Sequence, residues 1–584
     1  MSSTNRKRGP GSDGSGYVLL VVCLLVLAAA AAAWTSAAAG ASLAGKPSPP
    51  APIALLFDLA KGAYVWPGTA ATIVLAAELV VLALAAVLIG RRVVTVRRRR
   101  RPIDAAARHM GKGRQLDKLT RTGATATAAR LGSADRIGVY LGRTVVGGRD
   151  MYGGLEDTHV DIWGPRTGKT TRKAIPALMD HGQAPALVTS NKRDIVDATR
   201  APRAELGRVW VFDLQGLIGE ESSWWWNPLS YVTDVATASR MAEHFASDSR
   251  GANARTDAFF EPAGQELLAN LLLAAALGNQ PITKVYTWLS NPRDETPEEI
   301  LREAGPAHRM AADSVRGTLL SPEKQRGGVY GTARQMASCL RNPQVTQWVT
   351  PTDRLDKRPQ FNPAEFVRGT DTLYLVSREG KDSAGALVTA LTVAVCEAAE
   401  AAATRLPHGR LSAPLLAVLD EAANVCRWAE LPNLYSHYGS RGILLITILQ
   451  SWAQGVEVWG EHGMTKLWSS ANVASYGGGV KDTNFLHTLS QLVGRFEALT
   501  RSHSYQPNRA GDGLLGSNRS TSISSREEEI VSVADLGALP PGRALILASG
   551  TPPTLIETVP WWERDFAPAV QASLAAHDPG GPAA

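Results

Sequence analysis

The chain has 584 residues, 45% hydrophobic and 20% charged, enough apolar mass for two or three folded domains. Its formal charge is +7, but "RRVVTVRRRR" with Arg101 holds seven arginines in eleven positions. Without that block the balance is close to neutral, so composition alone does not mark a nucleic-acid binder. The four cysteines (Cys23, Cys339, Cys396, Cys426) lie far apart with no C-x-x-C pair, which argues against a zinc site or disulfide framework.

Residues 1–16 form a short tail with Arg6, Lys7 and Arg8. From Tyr17 runs "YVLLVVCLLVLAAAAAAW", with no charge between Asp13 and Lys46. A hydrocarbon core of ~30 Å needs about 20 apolar residues in a helix, so residues 17–38 are expected to span a membrane. A cleaved signal peptide is the competing reading, since "TSAAAGA" offers small residues for cleavage. A second span is expected over 69–90, "TAATIVLAAELVVLALAAVLIG", followed by the arginines of 91–101. Positive charge marks the cytoplasmic side. Both termini are therefore expected in the cytoplasm of a multi-pass protein of the cell (inner or plasma) membrane, with an external loop between the spans and the arginine block on lipid headgroups. Glu78 sits inside the second span, where a carboxyl by default faces a partner or cavity; a protonated glutamate in helix packing is the preferred, plainer reading.

Residues 91–150 are expected to be a basic, polar juxtamembrane segment. Beyond it, buried-strand candidates alternate with helix-length intervals: 158–163, 184–190, 208–214, 372–377, 415–420, 443–449, 473–478 and 544–549. That pattern indicates a mostly parallel sheet covered on both faces. Between 230 and 355 no β-branched run occurs, and "GQELLANLLLAAAL" reads as helix. The expected fold is thus α/β over 151–229 and 356–562, interrupted by an all-helical domain at 230–355. The segment 503–528 has loop composition, and 563–584 is expected to be a disordered tail.

The chemistry concentrates in three places. "VDIWGPRTGKTT" resembles the phosphate loop G-x-x-x-x-G-K-[ST], but only three residues separate Gly164 from Gly168. It follows a strand and precedes a helix, the context that such a loop needs. Gly164, Pro165, Arg166, Thr167, Gly168, Lys169, Thr170 and Thr171 are the nucleotide-binding candidates. Lys169 would reach the β- and γ-phosphates and the Thr170 hydroxyl would join a Mg²⁺ shell. Trp163 stands where the pattern has its first glycine; that position shapes the turn, so Trp163→Gly is expected to change little. "LLAVLDEAANV" delivers Asp420 and Glu421 at the end of a buried strand, Asp420 for Mg²⁺ and Glu421 to polarise the attacking water. An acidic first helical turn is the plainer reading of that pair. "RGILLITILQ" ends in Gln450, an amide for the γ-phosphate, and opens with Arg441, a candidate arginine finger or an ordinary surface arginine.

With "FFEPAGQELLANLLLAA", "VLDEAAN", "ILQSWAQ", "GGGVKDTNFLHTLSQLVG" and "VSVADLGALPPGRALIL" following in order, the chain resembles the type IV coupling proteins, the TraG/TraD-like ATPases of conjugation. The resemblance implies RecA-like P-loop domains in a hexameric ring, ATP and Mg²⁺ as cofactors, and hydrolysis by Lys169, Glu421, Gln450 and Arg441. It implies partners as well: single-stranded DNA bound without sequence preference, a relaxase or relaxosome, and the components of a type IV secretion channel. An FtsK-like double-stranded DNA pump, a receptor for secreted protein effectors and a non-hydrolysing scaffold are the alternatives. Trp163 and the 503–528 loop depart from the family pattern.

Overall fold

The computed structural model describes residues 14–99, 101–133, 136–249, 257–353, 355–380, 384–505 and 519–579. It divides into two compact units, Met1–Pro102 and Ile103–Ala584. The expected N-terminal tail (mostly), Arg100, the centre of the expected 503–528 loop and the last five residues lie outside the described residues.

In the first unit the apolar runs become two long helices, Gly14–Leu43 and Thr69–Arg99, joined through a short helix Pro52–Ala60. The long helices pack closely where their side chains are small: a Cβ on Gly40 would lie 2.5 Å from the Cβ of Ala71. Glu78 accepts hydrogen bonds from Thr35 Oγ1 at 2.8 Å and from Ser36 Oγ at 3.2 Å, so its carboxyl is held by the partner helix. Among the described residues, one helix is long and apolar enough by composition to cross a bilayer, Gly385–Ala403. It lies mostly buried within the second unit, as a core helix does.

The second unit is built on thirteen strands: β1 Val139–Thr144, β2 Asp150–Gly153, β3 His159–Ile162, β4 Ala186–Ser190, β5 Val209–Asp213, β6 Thr372–Val376, β7 Leu415–Leu419, β8 Ile443–Leu449, β9 Val473–Tyr476, β10 Arg495–Tyr505, β11 Arg519–Glu529, β12 Arg543–Ala548 and β13 Thr554–Glu557. Eleven form one sheet in the order β2-β1-β13-β12-β9-β3-β8-β7-β4-β6-β5. From β9 to β5 every neighbouring pair is parallel, and the remaining pairs are antiparallel. The parallel strands β3, β4, β6, β7 and β8 are buried along their whole length, as a sheet covered on both faces requires.

Between β5 and β6 the described elements are helical, apart from an isolated bridge between Trp225 and Gln360. One continuous apolar core joins these helices to the sheet, running from Phe212 and Leu373 through Trp224, Trp226 and Trp348 to Leu271 and Leu272 of the helix Phe260–Leu277. At the outer edge of the sheet the indole N–H of Trp224 donates to the carbonyl of Val211 in β5 at 3.1 Å.

Three expectations need correction. Residues 103–150 are not a loose juxtamembrane segment; they fold into the second unit, where β1 pairs with β13 and Arg543 forms a buried ion pair with Asp104 at 2.7 Å. The 503–528 region is not all loop: β10 and β11 pair in register from Arg495↔Glu529 to Tyr505↔Arg519. The tail is ordered as far as the helix Ala567–His577, which buries Val570 and Ser573, the latter donating to the carbonyl of Asp197 at 2.6 Å.

Candidate nucleotide site

β3, β8 and β7 are adjacent and parallel, so their C-terminal ends open on one edge, where open α/β sheets hold ligands. β3 runs into the glycine loop, β7 into Asp420 and Glu421, and β8 into Gln450. These strand ends bring the three sequence motifs together.

Backbone contacts close the loop. The Trp163 N–H donates to the Leu449 carbonyl and the Gly164 N–H to the Gly478 carbonyl, both at 2.9 Å. Gly164 must be glycine, because a Cβ there would lie 2.4 Å from the Gly479 carbonyl carbon. Arg166 (φ 60°) and Gly168 (φ 91°) turn the backbone left-handed, and the Thr167 hydroxyl donates to the Gly164 carbonyl at 2.7 Å. Pro165 and Arg166 are exposed at the tip, while Gly168, Lys169, Thr170 and Thr171 are half-buried. The following helix opens with a wide turn, Thr170–Ala174, in which the Ile175 N–H reaches back to the Thr170 carbonyl. Pro176 accounts for it: with no N–H and a ring that would press on the carbonyl four residues back, it cannot continue an ordinary α-turn.

Trp163 behaves differently from the expectation. It is 2% exposed, its indole donates to Ser475 Oγ at 2.8 Å, and a Cβ on Gly477 would lie 2.2 Å from its ring. It belongs to an apolar cluster with Val473 and Ile546. Trp163→Gly would empty this core position, so it cannot be a neutral change.

Asp420 and Glu421 are both buried, at 3% and 2% exposure. Glu421 adopts φ 55° and ψ 42°, a left-handed backbone that is strained for a glutamate and so marks a position held there by its surroundings. Gln450 Nε2 donates to both of its carboxylate oxygens, at 2.7 and 2.8 Å, and Lys169 forms an ion pair with it. Lys169 Nζ also lies 3.9 Å from Asp420 Oδ1. Burial lowers the Lys169 ammonium below its usual range, an effect that the Asp420 charge partly offsets. Burial likewise pushes the Asp420 carboxyl up to about 6, against the pull of Lys169.

Asp420 Oδ1 has no hydrogen-bond partner, and the Thr170 side chain is close enough to the same carboxylate to favour its charged form. A hydroxyl and a carboxylate oxygen left over in a buried site suit a small hard cation such as Mg²⁺, whose other ligands would be water and phosphate oxygens. Nearby, Glu379 at the end of β6 accepts hydrogen bonds from Asn424 Nδ2 at 2.8 Å and from Asn191, lining the same edge.

Arg441 is not brought into this cluster. It ends the helix Leu431–Arg441, at the opposite end of β8 from Gln450, and donates to the Gly409 carbonyl at 3.3 Å. Sequence reasoning also passed over a polar seam beneath the loop, formed by His159, Asp161, Lys173 and Ser475. The available signal was the pair of polar residues on one face of an otherwise apolar strand, "HVDI".

Residues 414–541 match the family model described as the TraM recognition site of TraD and TraG. That stretch contains the Asp420–Glu421 and Gln450 strand ends and the 477–479 glycine turn. Through that stretch the chain is similar to the TraD and TraG coupling proteins. The chain is similar to a solved bacterial conjugative coupling protein, TrwBdeltaN70, in a trigonal form with sulphate: 16% identity, TM-score 0.50, 78% of this chain and 98% of that chain covered. It is equally similar to the plasmid coupling protein TrwB in complex with the non-hydrolysable ATP analogue ADPNP: 16% identity, TM-score 0.50, 72% and 89% covered. At this identity the likeness is one of fold, that of an α/β NTPase. A search of curated proteins found none that matches.

Proposed function

We propose that this protein is a membrane-anchored, RecA-like ATPase that drives relaxase-bound single-stranded DNA toward a type IV secretion channel. The observation that supports it best is the convergence of Lys169, Thr170, Asp420, Glu421 and Gln450 on one sheet edge. The two apolar helices of the first unit, with arginines following the second, suit a two-span anchor that keeps the ATPase in the cytoplasm. The fold likeness to conjugative coupling proteins and the TraM-recognition match fit the same role and a relaxosome partner.

In this reading the loop backbone and Lys169 hold the β- and γ-phosphates, and Lys169 leaves Glu421 to do so. Thr170 and Asp420 would hold Mg²⁺, which would supply positive charge against the phosphate oxygens. Glu421, freed from Lys169 and still oriented by Gln450, accepts a proton from the attacking water. Arg441, remote from its own cluster, is the proposed finger acting on a neighbouring subunit in a hexameric ring. The helices between β5 and β6 form the inserted domain that meets substrate.

The test is ATP hydrolysis by the full chain in detergent or lipid vesicles, alone and with single-stranded DNA, double-stranded DNA or neither nucleic acid. Turnover stimulated by single strands is expected. Stimulation by duplex alone would favour a double-stranded DNA pump; turnover indifferent to both would favour protein cargo. Tight Mg²⁺-nucleotide binding with no turnover under any condition would leave a scaffold.

A further inference from the structure

Directly beneath the phosphate loop lies a second buried charged group that the proposed chemistry does not use. Lys173, four residues beyond Lys169, is 4% exposed and its Nζ lies 3.3 Å from Asp161 Oδ2, a carboxylate with no exposure at all. The same Nζ lies 3.1 Å from His159 Nδ1. Burial and the Lys173 charge hold that imidazole neutral, with its pKa well below the usual range, so Nδ1 is the acceptor and Lys173 the donor. Asp161 also accepts from the hydroxyl of Ser475, its neighbour across the β3–β9 pair. Ser475 in turn accepts from the Trp163 indole at 2.8 Å.

The seam therefore grips the loop on both sides. Trp163 is the residue that enters the loop, and Lys173 sits one helical turn past the lysine that leaves it. Both connect to Asp161. Buried ion pairs seldom add stability over apolar residues of like volume, because desolvation offsets the attraction, so packing alone does not explain this one. The loop keeps its usual length, but with a buried tryptophan where the first glycine would stand, so its entry is fixed by that side chain. Fixing the separation of its entry and exit is a task that a directional, charged contact performs better than an apolar one.

We propose that Asp161 and Lys173 are positioning residues that set the geometry of the phosphate loop, with Ser475 carrying the contact to Trp163. The inference rests on the reading of the loop as an ATPase site. It predicts that the seam can be replaced without loss of fold but not without loss of nucleotide handling.

The experiment compares the full chain with Lys173→Met, with the double variant Asp161→Leu/Lys173→Met, and with Ser475→Ala. Each is followed by thermal unfolding, by binding of a fluorescent ATP analogue, and by kcat and KM for ATP. Lys173→Met alone strands a buried carboxylate and should melt well below the parent. The double variant should recover much of that melting temperature yet bind and turn over ATP about 10²-fold less efficiently, the scale expected of a misplaced catalytic group. Ser475→Ala, a small change, should keep its fold and show a raised KM with a lowered kcat. Parental kinetics in a folded double variant would overturn the proposal. If the double variant does not fold, parental kinetics in Ser475→Ala overturn it instead. An inactive parent that still binds nucleotide would count against the ATPase reading; there the seam is judged on nucleotide affinity alone, and parental affinity in the variants would overturn it.

Discussion

Lys169 and Lys173 stand one helical turn apart and are both largely buried, yet their surroundings differ in kind. Around Lys169 the groups are incompletely satisfied: Asp420 Oδ1 has no hydrogen-bond partner, Glu421 has a strained backbone, and Asp420 holds its proton up to about pH 6. Around Lys173 the Asp161 carboxylate has a cation and a hydroxyl, and the hydroxyl has an indole, although Asp161 Oδ2 and His159 Nε2 make no hydrogen bond. The first region borders the half-buried residues of the phosphate loop, where a ligand can reach it; the second is enclosed, with the Asp161 side chain wholly buried. Two like charges one turn apart are told apart by how far each can be reached from outside.

Substitutions that treat the two regions alike would break that contrast. The largest effect is expected at Lys169→Ala, which should abolish ATP hydrolysis, since Lys169 is the cation set among Asp420, Glu421 and Gln450, and should also lower the melting temperature by leaving the buried Glu421 carboxylate to Gln450 alone. Turnover surviving this change would move the site elsewhere. Glu421→Gln should keep nucleotide binding and lose turnover by about 10²–10⁴-fold, because an amide cannot accept the proton. Equal turnover in single-round kinetics would reduce Glu421 to a structural residue.

Trp163→Gly sharpens the comparison from the scaffold side. It should lower stability by about 3–5 kcal/mol through the cavity it leaves, read by denaturant unfolding. A neutral result would mean that the seam and its apolar neighbours collapse to fill the space.

Asp420 gives a pH signature. Its folded-state pKa, about 6, lies above its ordinary value of 3.8, so the folded protein binds the proton more tightly than the unfolded chain. Its contribution to stability is present below the ordinary value and is lost as pH rises toward about 6. The nucleotide-free Asp420→Asn protein should therefore melt above the parent at pH 7, with the gap closing toward pH 4. Mg²⁺-nucleotide affinity of the parent should weaken below pH 6, where protons compete for the carboxylate. A flat profile in both assays would refute the assignment.

The smallest and least direct effect belongs to Arg441→Ala. It should bind nucleotide normally and hydrolyse it poorly, and mixing with Lys169→Ala subunits should restore part of the activity. If mixed rings stay inactive while assembled, Arg495, exposed at the base of the β10–β11 ribbon, is the next residue to test.

The legible parts of this molecule were those whose signal is local. Ile443–Leu449 could be read residue for residue, because a buried parallel strand is an unbroken apolar run. Lys169, Asp420, Glu421 and Gln450 were legible as motifs at strand ends. The β10–β11 ribbon was not, since serines, arginines and glutamates carry no apolar alternation and its order comes from pairing. The helix Ala567–His577 was hidden by a small-residue composition that buries only a few side chains. The Asp161–Lys173 pair needs the helix to fold back over β3, and Trp163 looked like a turn residue until Gly477 was seen to make room for its ring.

The tryptophan at the outer rim of the sheet has a consequence for the solution behaviour of the protein. A parallel strand such as β5 ends a sheet with backbone groups that another chain can pair with, and such edges template uncontrolled association. By seating its indole on the Val211 carbonyl, Trp224 interrupts that template with a bulky, fixed side chain. On that side the fixed indole stands against strand-to-strand joining of copies into open-ended fibres.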